Sequence, residues 1–141
     1  MTTKNNKGFT LIELLVTMTI IAVLAGLSLI SFDSARKSSR DSKRKTDLEQ
    51  MRAALEMYRA DNGSYPATAD FFKSGVLYPK YLASIPPDPS GRVYSYVAGT
   101  PAAGYTLCAA LEVVTTVDPK CAAASANCGS GNPCSYSATS P

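Results

Sequence analysis

Four cysteines, Cys108, Cys121, Cys128 and Cys134, hold most of the site chemistry open to this chain. There is no histidine, which excludes His-based triads, His metal sites and imidazole acid/base catalysis. The cysteines lie 13, 7 and 6 positions apart with no Cys-x-x-Cys pair, which argues against a zinc ribbon or a thioredoxin-type redox site. Zinc held on all four thiolates is one alternative. Two disulfides are favoured over it, because a small region with a thin core gains most from crosslinks. Four cysteines allow three connectivities, and pairing of sequence neighbours, Cys108–Cys121 and Cys128–Cys134, is the favoured one. The acidic groups of residues 62–141 (Asp70, Asp88, Glu112 and Asp118) are too scattered for an acid/base pair. Nothing marks any Ser, Thr or Tyr as an activated nucleophile. The sequence therefore predicts a protein that is not an enzyme and has no cofactor or metal.

The other group with chemistry is Glu13, the one charge between residues 9 and 32. The 24 residues Phe9–Phe32 are otherwise apolar or hydroxylic. As a helix at 1.5 Å per residue they reach about 36 Å, enough for a hydrocarbon core of about 30 Å. No polar stripe interrupts them, so the segment reads as a membrane anchor. A carboxylate inside that layer costs a few kcal/mol unless it is paired or reaches the interface. A chain beginning at Phe9 would place an ammonium in the same layer, where Glu13 could pair with it between adjacent helices. On that reading Glu13 serves assembly and adds little to the fold of one chain.

Charge is distributed unevenly. Residues 33–61 carry 14 of the 25 charged residues, eight basic and six acidic, while residues 62–141 carry four of each. All nine prolines follow position 65. The net charge of +3 is too small to imply nucleic-acid binding. The basic run Arg36, Lys37, Arg40, Lys43, Arg44 and Lys45 lacks interleaved aromatics and reads as a solvated helix face, not as a phosphate or lipid contact. It also conflicts with the positive-inside rule, which alone would keep the following domain cytoplasmic. Leu48, Met51, Leu55 and Tyr58 form one helical stripe, with Arg52–Glu56 and Glu56–Arg59 spaced for surface pairing. One helix from about Phe9 to Ala60 is predicted, stopped by Asp61-Asn62-Gly63. Asp88-Pro89-Ser90-Gly91 signals a turn. Val93–Ala98 and Tyr105–Val113 read as an antiparallel hairpin with Tyr105, Leu107, Ala109 and Leu111 on its core face. A third strand is expected at Val114–Val117 or near Cys134–Ala138.

The junction Lys7-Gly8-Phe9-Thr10-Leu11-Ile12-Glu13 resembles the prepilin cleavage and methylation motif of type IV pilins and type II secretion pseudopilins. The segment YLASIPPDPSGRVYSYV resembles, more weakly, the passage from helix to sheet in that family. The resemblance implies an α+β pilin-like fold, with one long N-terminal helix packed on a small antiparallel sheet. It implies a leader at residues 1–8, a transmembrane and filament-core helix at 9–32, its amphipathic continuation at 33–61 and a cysteine-containing head at 62–141. A membrane prepilin peptidase would cut between Gly8 and Phe9, Phe9 would be N-methylated, and Glu13 would act in assembly. Partners would be copies of the chain or related pilins, together with inner-membrane assembly machinery. Many such pseudopilins hold calcium in the C-terminal loop, but Asp118 is the one acidic residue there, which supplies a cage poorly. The expected role is a structural subunit of a type IV pilus or pilus-like filament with an extracytoplasmic head. A type II secretion pseudopilin, or a membrane-anchored binding module that does not polymerise, is the alternative.

Overall fold

A computed structural model describes residues 8–99, 104–122, 128–129, 131 and 133–140, with the backbone alone for 28–31. Residues 1–7 of the expected leader lie outside the described residues. The chain divides into two compact units, Met1–Arg36 and Lys37–Pro141. The element order is α1 (Leu11–Asn62), β1 (Ser95–Ala98), β2 (Tyr105–Ala109) and β3 (Tyr136–Thr139), with a 3₁₀ turn at Pro119–Cys121 before β3. This is the α+β, pilin-like arrangement.

In the first unit α1 opens two residues later than the sequence suggests, because Thr10 serves as its N-cap. The N–H of Leu14 donates to the Thr10 carbonyl at 3.3 Å. The described side chains from Phe9 to Leu27 are all exposed. The hydroxyls of Thr17 and Thr19 donate to the carbonyls of Leu14 and Val16, three residues back. These bonds keep the polar groups of an apolar helix satisfied within it, as hydrocarbon surroundings require. The helix is long and apolar enough to cross a membrane.

The second unit is built on the predicted stripe. Leu48, Met51, Ala54 and Leu55 are fully buried and Tyr58 packs at their margin. At the end of α1, Gly63 takes φ +77°, and its N–H donates to the Arg59 carbonyl at 2.8 Å. A left-handed residue closing the helix is the reason for glycine at this position. The three strands are antiparallel in the order β1-β2-β3, with Tyr96 opposite Leu107 and Leu107 opposite Ala138. Tyr105, Leu107 and Ala109 face the core shared with α1, where Phe71 stacks on Tyr96 at 4.1 Å between ring centroids. Alternation alone would leave the other face of β2 in water. Instead Cys108 and Ala110 pack there against Cys121, Cys128 and Cys134.

The sheet departs from the sequence reading at its ends. β2 stops at Ala109 and does not reach Val113. Beyond it, Arg92 donates to the carbonyls of Ala110 and Leu111, Ser135 Oγ accepts from the Leu111 N–H, and Asp41 takes the N–H groups of Glu112 and Val113. With its hydrogen-bonding groups claimed by side chains, this stretch cannot continue the ladder. Val114–Val117 is consequently not a strand, and the third strand is Tyr136–Thr139. The expected helix-surface pairs also differ. Arg52 pairs with Glu49 at 3.5 Å, and Glu56 accepts from the hydroxyls of Tyr65 and Tyr105.

Candidate functional site

The residues singled out in the sequence fall into separate places. At the N-terminal end, Gly8 has open space where a Cβ would sit, and Phe9 is 90% exposed. Glu13 turns back on its own helix start. The Thr10 N–H donates to Glu13 Oε2 at 2.8 Å and the Thr10 hydroxyl donates to the same oxygen at 2.9 Å. In return the Glu13 N–H donates to Thr10 Oγ1 at 3.3 Å. This is a capping box, two helix-start donors satisfied reciprocally, which stabilises the start of the helix. The expectation that Glu13 adds little to the single chain is corrected accordingly. Thr10-x-x-Glu13 is visible in the sequence and was the signal for it. The carboxylate is thus the cap of its own helix.

The four cysteines form two disulfides, Cys108–Cys121 with Cα atoms 6.0 Å apart and Cys128–Cys134 at 5.3 Å. All four are buried. Being bonded to one another, they have no thiolates to give zinc. The pairs tie the segment after β2 to β2 itself and close the approach to β3. Asp118 starts the 3₁₀ turn by accepting from the Lys120 N–H at 2.9 Å. Its other oxygen accepts from the Ser137 hydroxyl at 2.7 Å, and these bonds, Ser137 first, lower its pKa. Both oxygens therefore serve the local fold. No group of three or more metal-ligating side chains converges among the described residues.

The largest departure from the sequence reading is Arg44. The sequence predicts a solvated face for the basic run, yet the Arg44 side chain is fully buried and Asp41 and Asp47 are buried with it. Its Nη1 reaches Asp41 at 2.7 Å and Glu112 at 2.9 Å, its Nε reaches Asp88 at 2.6 Å, and its Nη2 donates to Ser90 Oγ at 2.5 Å. Arg40 pairs with Glu112 through its Nε at 2.7 Å, and Lys43 with Asp47 at 3.3 Å. Asp47 also accepts from the buried Tyr94 hydroxyl at 2.7 Å. The carboxylates have further donors. Asp41 accepts from the backbone of Glu112 and Val113, and Asp88 from the N–H groups of Ser90 and Arg92.

The charges follow from this geometry. Burial alone would raise the Asp88 carboxyl, but Arg44 and the two backbone donors outweigh it and hold it at about 2. The hydrogen bond from Arg40, aided by Arg44, brings Glu112 down to about 2 against its own partial burial. Burial and the Asp47 carboxylate push the Tyr94 hydroxyl well above its ordinary value. Residues 40–47 of the helix are thereby locked to the turn at 88–92 and the stretch at 110–113. Short spacing within the helix gives only the Arg44–Asp41 and Lys43–Asp47 pairs; the contacts that tie the helix to the rest of the head span 44 to 72 positions and leave no local signal. The cluster holds no reactive group, since every carboxylate is committed to a cation or a backbone donor.

Comparison with known proteins covers both units. Residues 3–29 match the prokaryotic N-terminal methylation motif, and residues 32–110 match the family described as type II secretion system protein G. A type II secretion system core protein G from Pseudomonas aeruginosa is 33% identical, over 67% of this chain and 75% of its own length. Proteins of the same name from Escherichia coli K12 and Vibrio cholerae are 32% and 28% identical, each over 67% of this chain and 74% and 73% of their own lengths. No solved structure matches the chain significantly.

Proposed function

The chain belongs to the type II secretion system protein G family, and from that premise we propose that it is a pseudopilin, a structural subunit of a secretion filament. It is a structural protein and not an enzyme. Of the readings drawn from the sequence, the family favours the secretion alternative over a type IV pilus. The single observation that carries the assignment is the match of residues 32–110 to the type II secretion system protein G family, with which the start of the chain agrees: a Gly8–Phe9 junction, a capped helix with Glu13 in its first turn, and an apolar surface exposed from Leu11 onward.

In this reading the peptidase removes residues 1–8, Phe9 becomes the methylated terminus, and the apolar helix holds the subunit in the inner membrane. Assembly then packs these helices side by side, removing their exposed Leu, Ile and Val side chains from lipid. The burial cost of Glu13 is offset by its Thr10 partners and by the ammonium of a neighbouring chain. The head lies outside the cytoplasm, which its two disulfides support, since such bonds persist in oxidising compartments.

The test is intact-mass analysis of the membrane-extracted protein. Loss of residues 1–8 and gain of one methyl group on Phe9 is expected. Gly8→Val should retain the leader, and because nothing lies within 4 Å of a Cβ there, the change leaves the fold undisturbed. A wild-type protein that keeps its leader, embeds in the membrane and never sediments as filaments is the non-polymerising anchor instead.

A further inference from the structure

The back face of β2 is closed by sulfur. Among the described residues, four of the five buried there are Cys108, Cys121, Cys128 and Cys134, with Ala110 the fifth. Their pairing is not the one that chain length favours. Cys121 lies 7 positions from Cys128 and 13 from Cys108, and loop-closure entropy favours the shorter loop about 2.5-fold. A Cys121–Cys128 bond would leave Cys108 and Cys134 for each other. The head nonetheless carries Cys108–Cys121 and Cys128–Cys134, so the choice of Cys108 by Cys121 has a cause other than nearness along the chain.

Asp118 sits where that choice is made. Its Oδ1 caps the 3₁₀ turn by accepting from the Lys120 N–H at 2.9 Å, and its carbonyl accepts from the Cys121 N–H at 2.9 Å. Its Oδ2 accepts from the Ser137 hydroxyl at 2.7 Å. Ser137 is the β3 residue directly opposite Cys108, and opposite residues of an antiparallel pair put their side chains on one face. One carboxylate thus anchors the turn that carries Cys121 beside Cys108. β3 offers that anchor without help from sulfur, because Ala138 is buried opposite Leu107 in the core shared with α1. Cys128 is held elsewhere, its carbonyl accepting from the Val93 N–H at 3.1 Å. We propose that Asp118 is the positioning residue for oxidation of the head, bringing Cys121 to Cys108 before their bond forms and so excluding the Cys121–Cys128 pair. The oxidant is a disulfide compound of the oxidising compartment. A cysteine thiolate attacks one of its sulfurs, a mixed disulfide forms, and one oxidant thiolate leaves with the electron pair. The second cysteine then attacks the protein sulfur and displaces the other. For each bond two protein thiols are oxidised, one oxidant disulfide becomes two thiols, and the two protons pass to those thiols. The selection operates within a single chain and does not depend on filament assembly.

The experiment dilutes the reduced, urea-unfolded full-length chain into detergent buffer containing oxidised glutathione. Species with one disulfide are trapped by acid and mapped by proteolysis and fragmentation mass spectrometry. In the wild type, Cys108–Cys121 should exceed Cys121–Cys128 about tenfold, the worth of one charge-assisted hydrogen bond. Oxidation in concentrated urea should reverse this to about 2.5-fold in favour of Cys121–Cys128, the ratio set by chain statistics. Asp118→Ala should show that reversed ratio without urea. Asp118→Asn should pair as the wild type does, since its amide can still accept from the Lys120 N–H and donate to Ser137. The readout is which sulfurs join, so it does not require a variant to reach the folded state. An alanine variant that pairs like the wild type, an asparagine variant that pairs like alanine, or a wild-type preference unchanged by urea overturns the role of Asp118. None of these results bears on the pseudopilin reading, which the mass of the mature N-terminus tests separately.

Discussion

Replacing Arg44 with Met should be the most damaging single change in the head outside its apolar core. The guanidinium makes bonds to Asp41, Asp88, Glu112 and Ser90. Summing these at about 1.5–3 kcal/mol each for charged hydrogen bonds would give about 6–12 kcal/mol, comparable with the whole stability of a typical domain, about 5–15 kcal/mol. That sum overstates the loss, because the carboxylates keep other donors: backbone N–H groups on Asp41 and Asp88, and Arg40 on Glu112. The better figure is the roughly 3–5 kcal/mol seen when one partner is removed from a buried ionic group. With a urea slope of about 2 kcal/mol per molar, the unfolding midpoint should fall by roughly 1.5–2.5 M. Urea titration of the full chain in detergent, followed by near-ultraviolet circular dichroism of its eight tyrosines, measures it. Arg52→Met is the reference, since its partner Glu49 is more than half exposed, and it should cost under about 1 kcal/mol. If Arg44→Met shifts the midpoint no further than Arg52→Met does, the cluster does not hold the head together and the argument fails.

Glu13→Gln should separate the two roles of that residue. Glutamine can still close the capping box with Thr10, so insertion and cleavage should be normal, while filament yield should drop sharply; wild-type yield from the glutamine variant would refute a role for the charge in assembly. Asp88 has a pKa lowered in the folded chain, so its stabilising contribution is complete above its ordinary range near 4 and is lost as pH falls through about 2. Asp88→Asn should therefore lower the thermal midpoint at pH 7, with the difference from wild type closing as pH approaches 2; a constant difference across that range would rule the linkage out. Alkylation under denaturing, non-reducing conditions should label none of Cys108, Cys121, Cys128 and Cys134 in protein taken from cells, and stoichiometric labelling of all four would place the head in a reducing compartment.

What could be read from the sequence was what periodicity and local chemistry encode. The stripe Leu48/Met51/Leu55/Tyr58, the stop at Gly63 and the core face Tyr105/Leu107/Ala109 each follow from spacings of a few residues, and each is in the fold. The ends of β2 and the place of the third strand were set by contacts across 18 to 72 positions, from Arg92, Ser135 and Asp41. Val114–Val117 has the composition of a strand, yet the chain entering it is already held by Asp41 and cannot join the ladder. Arg44 was hidden for a different reason. A lysine or arginine in a charged run is ordinarily solvated, and only the fold reveals that two distant carboxylates, Asp88 and Glu112, join its helical neighbour Asp41 around this one. The capping box is the reverse case: Thr10-x-x-Glu13 is fully local, and its signature stands in the sequence.

The buried cluster also bears on the charge conflict at the membrane. Six basic residues follow the apolar segment, and by simple counting they oppose a translocated head. Their placement gives them another reason to exist. Arg44 fills a cavity lined with carboxylates, Arg40 and Lys43 pair with Glu112 and Asp47, and Lys45 lies 5.4 Å from the centre of the Tyr136 ring. Four of the six are thus used by the folded head, so their position after the helix reflects what the head needs from α1. The positive-inside rule is strongest for short loops and weak for long translocated domains, and Lys37–Pro141 is a compact unit of domain size. The basic flank therefore does not outweigh two disulfides as a guide to which side the head occupies. Substituting Arg36 and Lys37, which lie before the cluster, should leave topology unchanged in a protease-protection assay on intact spheroplasts. A head that becomes accessible from outside only after that substitution would show that the charges do hold it in the cytoplasm.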